Sequence, residues 1–291
     1  MRIAIQGELG SFSHQAALQI EPQATFVPCA FSAEVFKLVE AEDVSAAVIP
    51  IENSLAGSVV EHFDLLLQSD VRIERESLLR IRHNLIGISG SQVGDIRQVL
   101  SHPVALAQCR RFFSQHPGMT PTPFYDTAGS VKHIVSLGQG DAAAIASEQA
   151  ALAYGGDVLA AGIEDNAANF TRFFLIRASS QVRPDANSDK VSIAFTVENR
   201  PGTLVSALQV FADHNTNLCK LESRPVHGQP WQYVFYLDYQ VSDPGATDAA
   251  LEQLRRRCLL VKELGRYPAA PPLPQTKDDS RTCDIRAGQS R

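Results

Sequence analysis

Cysteine is scarce in this sequence and falls into no pattern. The five cysteines, at positions 29, 109, 219, 258 and 283, are scattered, and no two have CxxC spacing. That spacing excludes a CxxC redox dithiol and gives no support to a thiolate metal site. An odd count spread so widely predicts reduced, mostly buried thiols in a cytoplasmic protein. Basic blocks are absent too. Lysine and arginine number 26 against 32 acidic residues, a formal net charge of −6, which argues against a nucleic-acid partner. Single arginines and helix N-termini can still hold a small anion. No apolar run approaches membrane-spanning length. The opening MRIAIQGELGSFS has no apolar signal region and leads straight into a strand and a turn. No membrane association is therefore expected.

What is present suits a globular protein with real cores. The chain has 291 residues, 44% of them hydrophobic and 20% charged, a length that suggests about two domains. Residues 2–6 read as a strand. Gly7, Glu8, Leu9 and Gly10 form a turn, and Ser11 caps the helix that follows. Strand 25–28, helix 33–40 with Ser32 as its cap, and strand 45–49 ending at Pro50 come next. Glu52, Asn53 and Ser54 sit just past that strand, and Gly57-Ser58 starts an amphipathic helix. Residues 71–83 form a long strand, and 85–88 cross into a second lobe. There a connector (93–100), a helix (104–113) and a Pro-containing edge strand (119–124) are expected. Asp126-Thr127 opens a helix with Ser130 and His133 on its first turns. Strand 142–146, a helix from Ser147 to its stop at Gly155-Gly156, and a returning strand (158–163) complete the lobe. The glycine spacing near the start does not give GxGxxG, which weighs against a dinucleotide fold.

The expected architecture is α/β with two lobes: lobe 1 from 1–80 and 160–178, lobe 2 from 81–159, and a cleft between them as the default ligand site. Polar residues at strand ends beside helix starts belong to such clefts. In 166–176, reading NAANFTRFFLI, a hydroxyl and a guanidinium, Thr171 and Arg172, stand at the mouth of a buried strand. Residues 178–189 read as a linker. Residues 190–266 read as β-α-β-β-α-β, a ferredoxin-like unit that gains stability by pairing. Residues 267–291 read as a disordered tail.

Seven short motifs occur in a fixed order: GxxGSFS from Gly7, PIENSLAGSV from Pro50, HNLIG from His83, DTAGS from Asp126, IEDNAANFTRFFLI from Ile163, NRPGTLVSAL from Asn199 and ESRP from Glu222. Each is weak alone. In this order they make residues 1 to about 266 resemble the prephenate dehydratase family with a C-terminal ACT regulatory domain. The resemblance implies a periplasmic-binding-protein-like (type II) catalytic domain that needs no metal or organic cofactor. It implies conversion of prephenate to phenylpyruvate, with loss of carbon dioxide and water, in phenylalanine biosynthesis. It further implies a phenylalanine effector held between paired ACT domains by Arg200, Pro201, Gly202, Thr203 and Leu204 and by Glu222, Ser223, Arg224 and Pro225, and hence a homodimer or tetramer. Thr203 departs from the alanine common there, which puts effector affinity in question. No mutase segment precedes Gly7 and no dehydrogenase domain follows, so a monofunctional enzyme is expected.

The chemistry assigns roles within that frame. Thr171 is the expected donor to the departing hydroxyl, with Asn53 as a second donor and Ser11 beside them. Arg172 is expected to clamp a substrate carboxylate through its planar fork, against the alternative of a surface or interdomain salt bridge. Phe173 lies beside them in the substrate site. Ser54, Ser58, Thr127 and Ser130 join Ser11 near helix starts, where a hydroxyl and free N–H groups hold an anion, though some of these serve only as caps. Glu52 adjoins the cluster with its direction open. His14, His62, His83 and His133 read as capping or packing residues. Two other functions fit the same residues: dehydration of arogenate, and a non-enzymatic amino-acid or solute sensor.

Overall fold

The computed structural model describes residues 1–183, 185–226 and 228–271. Short apolar runs alternate with amphipathic helices through the first half. The chain runs β1 (Arg2–Gln6), α1 (Phe12–Ile20), β2 (Thr25–Cys29), α2 (Ser32–Glu40), β3 (Ala46–Asn53), β4 (Gly57–Ser58), α3 (Val60–Gln68) and β5 (Val71–Arg80). It crosses into β6 (Asn84–Gly87), β7 (Gln98–Ser101), α4 (Pro103–Ala107), α5 (Arg110–Gln115), β8 (Thr120–Pro123), α6 (Thr127–Leu137), β9 (Ala142–Ala146), α7 (Glu148–Tyr154) and β10 (Asp157–Ala160). It returns as β11 (Phe170–Ala178) and continues with β12 (Lys190–Thr196), α8 (Thr203–Asp213), β13 (Leu218–Pro225), β14 (Tyr233–Gln240), α9 (Pro244–Arg255) and β15 (Leu260–Tyr267).

Three sheets result. The first has the order β2-β1-β3-β11-β5, with β4 added to β3; the second is β10-β6-β9-β7-β8; the third is β13-β14-β12-β15. In the first sheet β1 is parallel to β2 and β3, while β11 enters antiparallel between β3 and β5. A late strand inserted beside three early parallel ones is the strand order of a two-lobed, periplasmic-binding-protein-like (type II) domain. The third sheet, antiparallel and backed by α8 and α9, is ferredoxin-like.

The C-terminal domain shares a core with the first lobe. Ile73, Phe174 and Ile176 of the first sheet pack with Ala194, Tyr236, Leu264 and Tyr267 of the third. Gly265 permits this approach, since a Cβ there would fall 2.3 Å from the Ile73 carbonyl oxygen. Lys262 Nζ donates to the carbonyls of Leu66, Leu67 and Ser69 at 3.0, 2.9 and 2.6 Å, a cation set on the negative end of α3.

Several expectations change. The helix expected over 104–113 is two helices, α4 and α5, and the connector contains β7. β3 does not stop at Pro50. Next to Pro50, Ile51 is an extra residue of β3 where β11 passes from Phe173 to Arg172, and pairing resumes to Asn53. Gly57-Ser58 forms β4, and the helix starts only at Val60. Phe31 takes the cap position of α2, and Ser32 donates instead to Glu61. Tyr267, assigned to the tail, ends β15 fully buried; the rest of the tail from 272 lies outside the described residues. Cys29 and Cys109 are buried, as expected, but Cys219 is exposed.

Candidate functional site

A cleft of about 730 Å³ opens where the first two sheets face each other. The first lobe contributes Ser11, Asn53, Ser58, Thr171 and Phe173; the second contributes His102, Gln108, Asp126 and Thr127. No lysine or arginine lines it among the described residues, and no cluster of three or more His, Cys, Asp or Glu among them could hold a metal ion.

The centre of the cleft is a cross-strand pair. Thr171 on β11 stands opposite Asn53 on β3. Asn53 Nδ2 donates to Thr171 Oγ1 at 2.9 Å and also reaches Asn169 Oδ1 (2.8 Å) and the Phe170 carbonyl (3.1 Å). Its Oδ1 accepts the N–H groups of Leu55 and Ala56 at 3.0 and 2.8 Å. Asn53 is thereby locked, and its direction is known because every partner fits one amide orientation. Thr171 Oγ1 receives a hydrogen bond, which leaves its own O–H to point into the cleft.

The network continues into the second lobe. Asn169 Nδ2 and His83 Nε2 both donate to Gln108 Oε1, at 2.9 and 2.8 Å. Gln108 therefore turns its NH2 group elsewhere, as a donor beside the cleft. Burial lowers the His83 pKa, outweighing the Gln108 hydrogen bond that raises it. The ring is thus neutral with its proton on Nε2, and the buried Nδ1 has no partner among the described residues. Gln108 and His83 belong to the site, yet neither was singled out for it from sequence. Gln108 sits at the break between α4 and α5, a break that the apolar periodicity of 104–113 hides.

Two helix N-termini meet at the cleft. Ser11 caps α1 and accepts the His14 N–H at 3.2 Å. Asp126 caps α6 and accepts the Gly129 N–H at 2.7 Å, with Thr127 as the first helical residue. Both ends offer free N–H groups and a positive dipole end. The Gly7–Gly10 turn makes this meeting possible. Gly7 has φ +88°, and a Cβ there would lie 2.8 Å from Asp126 Oδ2; a Cβ on Gly10 would lie 2.5 Å from Ala150 Cα. Two carboxyl groups share this wall. Glu8 is bound to Lys132 at 3.0 Å. Among the described residues no lysine or arginine pairs with Asp126. Burial pushes its pKa up, the N–H groups of Gly129 and Ala128 oppose that, Glu8 adds to the rise, and only His102 opposes it through its charge.

The structure corrects the role expected of Arg172. Successive side chains of a strand point to opposite faces. Thr171 and Phe173 reach the cleft, and Arg172 lies on the other side. Its Nε donates to Glu76, its Nη1 to Asp238 at 2.6 Å and its Nη2 to the Tyr267 hydroxyl at 3.1 Å, all in the interface with the C-terminal domain. The guanidinium lies 4.6 Å from the Phe174 ring centroid. Burial alone would lower the Arg172 pKa; the opposing charges of Asp238 and Glu76 hold it above its usual value. This is the interdomain salt bridge, not a clamp on substrate.

Glu52, opposite Arg172, likewise leaves the cleft and meets Lys220 of β13 at 2.9 Å. Ser54 ties down a loop, donating to the Ala168 carbonyl (3.1 Å) and accepting the Phe170 N–H (3.0 Å). Ser130 is fully buried and donates to the Thr127 carbonyl at 2.6 Å. Neither serine touches the cleft. Ser58 does line it, but its hydroxyl donates to Glu222 and receives Lys220 at 3.3 Å.

The residues expected to hold an effector lie on two elements of the third sheet's domain, the turn into α8 and the edge strand β13. Arg200 pairs with Glu198, and Thr203 Oγ1 donates to the carbonyls of Glu198 (2.6 Å) and Arg200 (2.9 Å). Gly202 takes the left-handed φ of +82° that starts α8, between Pro201 and Leu204. On β13, Glu222 faces Ser58, and Arg224 faces Asp64 at 3.1 Å, while Ser223 and Pro225 alternate outward.

Known proteins resemble the whole of this arrangement. The family profile for prephenate dehydratase matches residues 3–181 and that for the ACT domain matches 191–256. An Arabidopsis thaliana protein named arogenate dehydratase/prephenate dehydratase 2, chloroplastic, is 40% identical over 92% of this chain and 73% of its own length. A bifunctional chorismate mutase/prephenate dehydratase of Aquifex aeolicus is 37% identical over 93% of this chain and 74% of its own length. Among solved structures, a prephenate dehydratase from Arthrobacter aurescens in complex with L-Phe superposes with a TM-score of 0.84 at 31% identity, covering 92% of this chain and 90% of that one. GqqA, described as a novel type of quorum quenching acylase, superposes with a TM-score of 0.85 at 33% identity over 93% and 99%.

Proposed function

The chain belongs to the prephenate dehydratase family and carries an ACT domain, and from that premise we propose that its cleft converts prephenate to phenylpyruvate in phenylalanine biosynthesis. Prephenate dianion and one proton give phenylpyruvate, carbon dioxide and water. The bond from the ring to its carboxylate breaks, the electron pair aromatises the ring, and hydroxide leaves from the opposite carbon as it gains the proton. The barrier lies in that departure. Thr171 supports it with an O–H left free by Asn53, in a cleft where donors act far more strongly than in water. With no arginine or lysine in the lining, the two substrate carboxylates are held by the N-termini of α1 and α6 and by Ser11, Thr127 and the Gln108 amide. Phe173 is the apolar floor beneath the ring. The observation that carries this reading is the Asn53–Thr171 pair set between two helix N-termini.

Arogenate, which carries an ammonium in place of the keto oxygen, is a second substrate. The name of the Arabidopsis relative pairs the two activities. An acyl-transfer reading, prompted by GqqA, lacks a serine–histidine or threonine–histidine pair. Among the described residues, the hydroxyls of Ser11, Ser58 and Thr171 have no hydrogen bond to a histidine ring, the usual activating base for such a nucleophile.

The ACT domain is read as the seat of feedback by L-phenylalanine, bound where two copies pair, with Arg200 to Leu204 and Glu222 to Pro225 as its contacts, in a cytoplasmic homodimer or a tetramer of such dimers. The test offers purified protein prephenate and arogenate separately, with and without phenylalanine, while the aromatic products are measured. Ligand binding with no product from either substrate rejects the reading.

A further inference from the structure

An α-amino acid carries a carboxylate and an ammonium on one carbon, so a site for it needs an anion seat and an acid set close together. The cleft has that pair where α1 meets α6. A Cβ built on Gly7 would lie 2.8 Å from Asp126 Oδ2 and 3.6 Å from Ser11 Cβ. The Asp126 carboxyl group therefore stands beside the residue that caps α1, and both residues line the cleft. Asp126 is oriented by its own cap. Its Oδ1 accepts the Gly129 N–H at 2.7 Å, and Oδ2 is left toward Gly7. A carboxylate has about four acceptor sites, so the cap does not exhaust it. The groups around Asp126 leave its charge without a firm partner. Glu8 is already engaged, taking Lys132 Nζ at 3.0 Å and the hydroxyls of Tyr125 and Tyr154 at 3.2 and 3.3 Å. His102 is the one base facing Asp126 among the described residues, and no lysine or arginine among them lines the cleft.

We propose that Asp126 receives the ammonium of an amine-bearing substrate whose neighbouring carboxylate sits at the N-terminus of α1 beside Ser11, and that Asp126 thereby sets the preference of the cleft between arogenate and prephenate. A carboxylate takes a charge-assisted hydrogen bond from an ammonium. It gains nothing from a keto oxygen, which is itself an acceptor, and it repels a dianion. Prephenate and arogenate differ at that one group. The ammonium also brings the cation that this wall lacks, so an ionised Asp126 costs less in the complex than in the empty cleft. The inference rests on the dehydratase reading above.

The experiment measures kcat/KM for arogenate and for prephenate in the unsubstituted full chain, in Asp126→Asn and in Asp126→Ser. Both replacements keep a side-chain cap on α6 and remove the charge. Within one preparation the ratio of the two values is independent of the folded fraction, so loss of fold alone does not move it. The arogenate-to-prephenate ratio is expected to fall about tenfold, and by no less than about threefold, in both variants. A smaller fall in either variant overturns the proposal. So does activity of the unsubstituted protein on prephenate alone, which leaves the dehydratase reading standing. Failure to convert either substrate removes that reading and the proposal with it.

Discussion

At the paired ends of β3 and β11, Asn53 and Thr171 face the cleft, while Glu52 and Arg172, one residue away on the same strands, face the ACT domain. The two faces are built by opposite means. The cleft face holds neutral donors, a neutral histidine and helix ends, with no lysine or arginine paired to Asp126 among the described residues. The ACT face holds full charges in mutual contact: Arg172 with Glu76 and Asp238, Lys190 with Glu76 at 2.9 Å, Lys220 with Glu52 and Glu222. A pocket of the proposed function, which takes a dianion, gains from donors that carry no partner of their own. An interface that must hold without a ligand needs its charges satisfied already. The plate is thin, because adjacent residues of one strand serve both, so the ACT domain is bolted to the back of the Asn53–Thr171 pair.

Substitutions on the two faces should therefore separate stability from turnover. The largest effect is expected from Arg172→Met, which leaves Asp238 in the interface with the Ser192 hydroxyl (2.5 Å) as its one close side-chain partner among the described residues. Breaking a buried ion pair on one side costs about 3–5 kcal/mol. Denaturant unfolding should show this loss, while kcat measured on the folded fraction falls by less than about tenfold. Thr171→Val should do the reverse. Turnover should drop about 10²–10³-fold, the scale set by removing one transition-state donor, while the melting temperature shifts by no more than about a degree or two. If Arg172→Met instead abolishes turnover in folded protein, the two faces are not separable. Gly265→Ala probes the docking directly. Its methyl group would press on the Ile73 carbonyl oxygen, and overpacking of this kind costs about 1–3 kcal/mol. Unfolding in two steps rather than one, followed by calorimetry, would show the ACT sheet lifting from β5 before the lobes melt.

The contrast between the faces also marks how far the sequence could be read. Strand 173–176, the two-lobe plan and the ferredoxin-like repeat are legible, because apolar periodicity and turn residues are local. Asn53 was legible as a candidate because it is a polar residue at a strand end, and Thr171 because its hydroxyl stands at the mouth of an apolar strand within a recognisable motif. The role of Arg172 was not. Period-two alternation says only that Thr171 and Arg172 cannot share a face; it does not say which face meets the cleft. That depends on Asp238 and Tyr267, 66 and 95 residues further along. Ser58 misled for a different reason. The pattern of Val59, Phe63 and Leu66 suggested that the helix began at Gly57, whereas β4 pairs with β3 and turns the Ser58 hydroxyl to Glu222. Gln108 was hidden by a helix break that leaves no mark on hydrophobic spacing.

Asp126→Asn gives the smallest and most discriminating test of the cleft face. Asparagine keeps the cap of α6 and removes only the ionisable proton. In the folded chain burial raises the Asp126 pKa above its ordinary 3.8, so the folded state holds this proton at pH values where the unfolded chain has released it. The group's stabilising contribution is fully present below pH 3.8 and is lost as pH rises through the raised value. Unfolding free energies of wild type and Asp126→Asn, measured by denaturant titration at a series of pH values, should therefore differ in slope across that window. The variant should gain relative to wild type as pH rises and the difference should level off once Asp126 is ionised in both states. A parallel pair of curves would mean that the Asp126 pKa is not raised in the folded chain, its charge being fully compensated there, and that the cleft wall is not an uncompensated face.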